Sequence, residues 1–332
     1  MTRPLDHRPA RSPRHTMGPD FIVMGAPKAG TTALHAALTQ HPEVFMSDPK
    51  EPKYWMCDDA PPPHWRGPGD KHSQREWVWR RADYERLFRA APAGVVRGES
   101  TPFYLWHRAA QRRIAEHLPE ARLIAVVRDP IDRAYSNWMH LWSDGLEPVA
   151  DFEAAFAREH ERIARGWAPF WRYAQLGRYG EQLAHLFSYV DRERVLVLRY
   201  RTIVDDPLGA VDRTCEFLGI TPGQVESIPH DNSRTFVEPG PRSAVLGRLL
   251  RAGAWAGQFA PPQVWRRASA PLVGRLANGN ATRPKLSPEA RARLLPFFAD
   301  DIALLAQITG ESFDDWLSTE SRGSFQERRR VS

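Results

Sequence analysis

Residues 25–32 read Gly-Ala-Pro-Lys-Ala-Gly-Thr-Thr and join a short apolar run to a helical pattern. These residue types suit an anion. Gly30 lets the backbone turn closely around a phosphate. The N–H groups of Gly30, Thr31 and Thr32 face outward at the positive end of the helix that follows. Lys28 adds a full positive charge, and the two threonines add hydroxyl donors. A Walker A loop places its Lys directly after the second Gly. Here Thr31 holds that place and Lys28 lies inside the loop. Lys28 is therefore positioned over the bridge of a leaving group, short of any γ-phosphate. The plain alternative is a glycine-containing turn with no ligand.

A second cluster is Arg128-Asp129-Pro130, followed by Asp132-Arg133 and Ser136. Arg128 closes an apolar run, and Ser136 falls on the first turns of the next helical pattern. Both are expected to reach a second phosphate at the carboxyl edge of a sheet, where ligands of open α/β sheets bind. The guanidinium fork suits a dianionic phosphate. On its own, Arg-Asp-Pro would only start a helix.

The elements that must hold these residues are legible as three unbroken apolar runs: Phe21-Ile22-Val23-Met24, Leu123-Ile124-Ala125-Val126-Val127 and Val195-Leu196-Val197-Leu198. Runs that do not alternate read as strands covered on both faces. Each precedes a loop and a helical pattern, at 31–40, 131–142 and 207–218. The expected fold is α/β: a P-loop-like, three-layer arrangement with a central parallel sheet flanked by helices. A fourth strand is expected at 94–97, and a closing amphipathic helix at 287–309. The organisation expected is a disordered tail over 1–18, a single domain over 19–318, and a basic tail over 319–332. Insertions near 57–81 and 229–283 are rich in Pro, Gly and Trp, and read either as walls of a site or as solvent-exposed loops. The aromatic segments around Trp77 and 167–173 form either a cleft or core.

Composition narrows the function. A chain of 332 residues with 42% hydrophobic residues can bury a sizeable core. No apolar run approaches the length of a membrane span. Residues 1–20 lack the apolar centre of a signal peptide, so a cytoplasmic setting is expected. Two cysteines, Cys57 and Cys215, exclude a disulfide scaffold, and Cys215 reads as core. No His/Cys cluster has metal-ligand spacing, so no metal is expected. The net charge of +6 suits an anionic partner. Arginines are dispersed, without a nucleic-acid module, which favours a small anion over nucleic acid.

The two clusters together resemble the sulfotransferases that use PAPS (3′-phosphoadenosine 5′-phosphosulfate). The resemblance covers about residues 19–317. It implies that Lys28, Ala29, Gly30, Thr31 and Thr32 hold the 5′-phosphosulfate, and that Arg128 and Ser136 hold the 3′-phosphate. Tyr200 is similar to the family tyrosine near the adenine, and Pro241-Arg242-Ser243 to a late loop that closes over the 3′-phosphate. Lys50-Glu51-Pro52-Lys53-Tyr54-Trp55 resembles a segment of the heparan sulfate sulfotransferase branch whose glutamate is the general base, which would give Glu51 that role. Lys53 stands where that branch often has His, and Ser100 where it often has Lys. Both positions face substrate, and both departures count against a glycosaminoglycan acceptor. The pattern is closer to bacterial members, which sulfate varied sugars, lipids and natural products.

The implied reaction moves a sulfuryl group from PAPS to a hydroxyl or amine. Lys28 would neutralise the breaking bridge and Glu51 would take the acceptor's proton, with no metal required. Lys53, Ser100 and His140 are the expected acceptor contacts. Glu51 has a second reading, a surface carboxylate paired with Lys50 or Lys53. His140 is either an alternative base or a packing residue. Glu99 is either a second acid or a partner of Arg128. The competing functions are a P-loop small-molecule kinase and a non-catalytic nucleotide-binding protein.

Overall fold

A computed structural model describes residues 18–228 and 284–319, together with Val245. Five strands form one sheet: β1 (Phe21–Gly25), β2 (Val44–Met46), β3 (Val96–Ser100), β4 (Arg122–Val127) and β5 (Val195–Arg199), in the order β2-β3-β1-β4-β5. Every pairing is parallel. The apolar runs of β1 and β4 are buried along their lengths, as strands covered on both faces require. The α/β expectation holds: helices flank a central parallel sheet.

The chain leaves β1 to fill one side with β2 and β3, then crosses to β4 and β5 on the other. In a parallel sheet the carboxyl ends share one edge. The loops after β1, β3 and β4 therefore open side by side, with Val23 level with Ser100 on one flank and Ile124 on the other. This reversal of strand order is where open α/β sheets bind ligands.

Local sequence accounts for most helix ends. Helix α1 (Thr31–Thr39) starts at Gly30, whose φ is 90°. The helix Pro130–Ser143 begins with Pro at its first position, and the Asp129 carboxylate accepts from the N–H groups of Ile131 and Asp132. The helix Pro207–Leu218 is capped by Asp206 and stops at Gly219, φ 71°.

Three expectations shift. The fourth strand runs Val96–Ser100, beyond the expected 94–97, so Glu99 and Ser100 belong to the sheet. The strand β2 was not expected at all. The closing helix is broken into Pro288–Leu294, a 3-10 turn Leu295–Phe297 and Ala299–Thr309. Pro296 explains the break, since it lacks an N–H and clashes with the carbonyl four residues back.

The insertion near 57–81 is tied down. Asp70 accepts from the N–H groups of Gly67 and Ala168, both at 2.8 Å, and from the Trp171 indole at 2.9 Å. This fixes the segment against 167–173, where Trp171 and Tyr173 are core. Cys57 and Cys215 are both free and buried. Residues 229–283, apart from Val245, and the tails 1–17 and 320–332 lie outside the described residues. No helix among the described residues is long and apolar enough to cross a membrane.

Candidate functional site

The loop after β1 is held by contacts from both neighbouring strand ends. Lys28 has φ 66°, a left-handed conformation that non-glycine residues adopt at some cost. Its carbonyl accepts a hydrogen bond from Arg128 Nη1 at 3.1 Å. The Arg128 guanidinium lies over the Tyr200 ring, 4.6 Å from the centroid. That same ring closes on Gly30: a Cβ there would come within 2.9 Å of Tyr200 Cδ2. Glycine is thus required twice, by its left-handed φ and by the approach of the ring. No side chain caps α1, so its first-turn N–H groups are uncommitted to side-chain acceptors. Residues from the ends of β1, β4 and β5 therefore converge as the sequence implied. Ser136 is buried on the helix Pro130–Ser143, and Ala29 is buried in the loop.

Glu51 approaches from the β3 side. Its backbone N–H donates to the Ser100 carbonyl at 2.9 Å, and both Glu51 and Lys53 have φ 62°. The Lys53 N–H donates to Thr101 Oγ1 at 3.3 Å. Two ammonium groups reach the Glu51 carboxylate, Lys50 at 3.0 Å and Lys53 at 3.4 Å. Burial pushes this carboxyl up, but Lys53 and Lys50 together outweigh it and hold it below the usual carboxylate range. The pairing with both lysines is present, and yet the carboxylate is no plain surface group. It lines a cavity of about 320 Å³.

That cavity brings Lys28, Gly30, Thr31 and Thr32 to the same space as Glu51, Lys53 and His140. The His140 ring meets Phe170 edge-on at 5.5 Å, and its Nε2 lies 3.8 Å from the Asp144 carboxylate. Ser100 does not line it. Its side chain is fully buried, with Oγ 2.9 Å from Nδ1 of His35. Burial, with help from Lys50, drives the His35 pKa down to about 4, so that imidazole is neutral at pH 7. Arg242 and Ser243 lie outside the described residues. Among the described residues, no group of three or more His, Cys, Asp and Glu could hold a metal ion.

Residues 19–222 match the sequence profile of the Sulfotransferase family. The chain belongs to the sulfotransferase family. It is 30% identical over 224 residues to human heparan sulfate glucosamine 3-O-sulfotransferase 6, covering 64% of this chain and 58% of that protein. It is 24% identical over 315 residues to mouse bifunctional heparan sulfate N-deacetylase/N-sulfotransferase 4, covering 91% of this chain and 31% of that protein. The chain thus spans about half the length, or less, of several curated relatives it matches. Among solved structures, a sulfotransferase from Alicyclobacillus acidocaldarius superposes with a TM-score of 0.69 at 26% identity, covering 90% of this chain and 98% of that one.

Some residues around this sulfotransferase-family cavity escaped sequence reasoning. Phe103 lines it directly after β3, and the signal available was the Thr-Pro-Phe that follows a polar strand end. Glu99 is neither in the cavity lining nor a partner of Arg128. It is fully buried in β3, and neither of its oxygens makes a hydrogen bond of ordinary geometry, although the Tyr84, Tyr104 and Thr101 hydroxyls surround it. Burial pushes its pKa up to about 7.

Proposed function

We propose that this protein transfers the sulfuryl group of PAPS to the hydroxyl or amine of a small-molecule or carbohydrate acceptor. The observation that carries this reading is the single cavity in which the Lys28–Thr32 loop faces Glu51. PAPS supplies a sulfuryl group on a phosphate leaving group. The remaining requirements are alignment and charge stabilisation, which this chain's own residues can meet.

Lys28 neutralises the oxygen that bridges sulfur and phosphate. The first-turn N–H groups of α1, with the Thr31 and Thr32 hydroxyls, hold the 5′-phosphate. Arg128 and Ser136 hold the 3′-phosphate, with Tyr200 beside the adenine. The resemblance assigns Arg242 and Ser243, which lie outside the described residues, to the same phosphate. Glu51, kept ionised by its two lysines, takes the proton of the acceptor. Lys53 and His140 contact the acceptor, while Ser100 is buried outside the cavity lining, bonded to His35. The residues fit a donor with phosphates at both ends: one end of the anion site is a helix terminus and the other an arginine fork. The free, buried thiols suit a reducing cytoplasmic setting.

Lys28→Ala tests the reading. The variant is expected to keep the wild-type melting temperature and to lose transfer of ³⁵S from labelled PAPS. Full activity in this variant would remove Lys28 from the reaction.

A further inference from the structure

The half of the cavity beyond the phosphate loop points to a class of acceptor, and this inference rests on the donor reading above. Its wall is made by Met56, Trp77, Pro102, Phe103, Pro169 and Phe170. Phe103 and Phe170 meet edge to face, with centroids 5.9 Å apart. The Lys53 ammonium lies over Trp77 at 5.6 Å and over Phe103 at 5.9 Å. Ring faces and edges of this kind select another ring. The indole N–H of Trp77 is buried and has no hydrogen-bond partner.

The wall is poor in charge. Among the described residues its charged groups are Lys28, Glu51 and Lys53, and Lys53 is already engaged with Glu51. A polyanionic sugar chain needs a row of basic groups, which this wall lacks among the described residues. The volume of about 320 Å³ suits a single small molecule.

We propose that the acceptor is a small aromatic compound bearing a phenolic hydroxyl, its ring held by Trp77, Phe103 and Phe170 and its hydroxyl at Glu51. In the reaction the phenolic oxygen forms a bond to sulfur. The bond from sulfur to the bridging oxygen breaks, and its electron pair stays on the 5′-phosphate. The phenolic proton passes to Glu51 and then to solvent. The products are an aryl sulfate and 3′-phosphoadenosine 5′-phosphate.

The state of Glu51 supports this choice. Burial raises it, but Lys53 and Lys50 prevail and leave it a weak base. A weak base is better matched to a phenol, with a pKa near 10, than to an aliphatic hydroxyl, which is close to water at roughly 15.7. The Lys53 ammonium beside Glu51 also favours the negative charge that develops on the phenolic oxygen.

The test uses the full chain with ³⁵S-labelled PAPS and three acceptors: 2-naphthol, its saturated counterpart decahydro-2-naphthol, and a heparan-type hexasaccharide. The expected kcat/KM for 2-naphthol exceeds that for the saturated alcohol by at least about 100-fold, the lower range of proton-transfer catalysis. No transfer to the hexasaccharide is expected. Phe170→Ala is expected to raise the KM for 2-naphthol about tenfold, one ring contact's share, with the Kd for 3′-phosphoadenosine 5′-phosphate unchanged. PAPS binding in calorimetry without transfer to 2-naphthol overturns the phenol proposal alone. Equal or better transfer to the alcohol or the hexasaccharide does the same. Absence of PAPS binding overturns the donor reading and this proposal with it.

Discussion

At the residue scale, the chemistry rests on side chains held in costly conformations. Lys28, Glu51 and Lys53 are all left-handed without being glycine, and each such residue costs of order 1–3 kcal/mol. The surrounding hydrogen bonds, from Arg128 to Lys28 and from Glu51 to Ser100, hold them there. Glu51→Gln preserves shape and removes the proposed base. Turnover is expected to fall by roughly 10²–10⁴-fold while donor affinity stays constant. In the proposed reaction Glu51 acts as its anion, and Lys53 and Lys50 hold its pKa below the usual carboxylate range, so the acid limb of the wild-type kcat profile is expected below the ordinary range for a glutamate. A pH–rate profile whose acid limb lies near 7 would assign the base elsewhere. Lys28 and Gly30 stood out in the sequence because their types announce charge and backbone freedom, whereas Glu51 stood out only through the resemblance of its segment. The contact between Ser100 and His35 was not, because it joins residues 65 apart in sequence that only the fold brings together.

At the element scale, β3 was the hardest strand to see and the most consequential. Val96-Arg97-Gly98-Glu99-Ser100 carries two charges inside a sheet, so its apolar signal is weak. The three-residue β2 is too short to show a period. The apolar runs of β1, β4 and β5 were visible because strands buried on both faces tolerate little else. Glu99 makes β3 sensitive to pH. Its folded pKa of about 7 lies above the ordinary glutamate value of 4.5, so the fold favours the neutral acid. That contribution is fully present below pH 4.5 and is lost as the pH rises through about 7. The loss amounts to roughly 3 kcal/mol for a fully buried group. Glu99→Gln keeps the shape and cannot ionise. Its urea midpoint is expected to exceed the wild-type midpoint at pH 8 and to converge with it near pH 4. A gap that does not change with pH would show that Glu99 does not titrate in the fold.

At the scale of the whole molecule, the sheet order β2-β3-β1-β4-β5 is what assembles the site. It sets the end of β3, where Glu51 from the loop after β2 bonds the Ser100 carbonyl, and the loop after β4 on either side of the loop after β1, so that Glu51 and Arg128 flank Lys28. The far end of the chain reinforces this edge. Arg291, buried, pairs with Asp129 and Asp132 and donates to the carbonyls of Trp316 and Ser318. It thereby fixes the helix start that follows Arg128. The α/β class and the placement of the Lys28 and Arg128 loops at one sheet edge were legible because both follow from strand patterns and local motifs. The aromatic wall was legible only in part: the segments of Trp77 and Phe170 read as either a cleft or core, and Phe103 joins them only through the fold, with Asp70 anchoring the 57–81 insertion. The central claim is that this edge binds a nucleotide with phosphates at both its 3′ and 5′ ends. Calorimetric titration of the full chain with 3′-phosphoadenosine 5′-phosphate and with ADP, both without magnesium, tests it most directly. Moving the second phosphate from the 3′ position to the 5′ chain is expected to weaken binding at least about tenfold, the worth of one charge-assisted hydrogen bond. Equal affinity for the two nucleotides, or tighter binding of ADP, would contradict it.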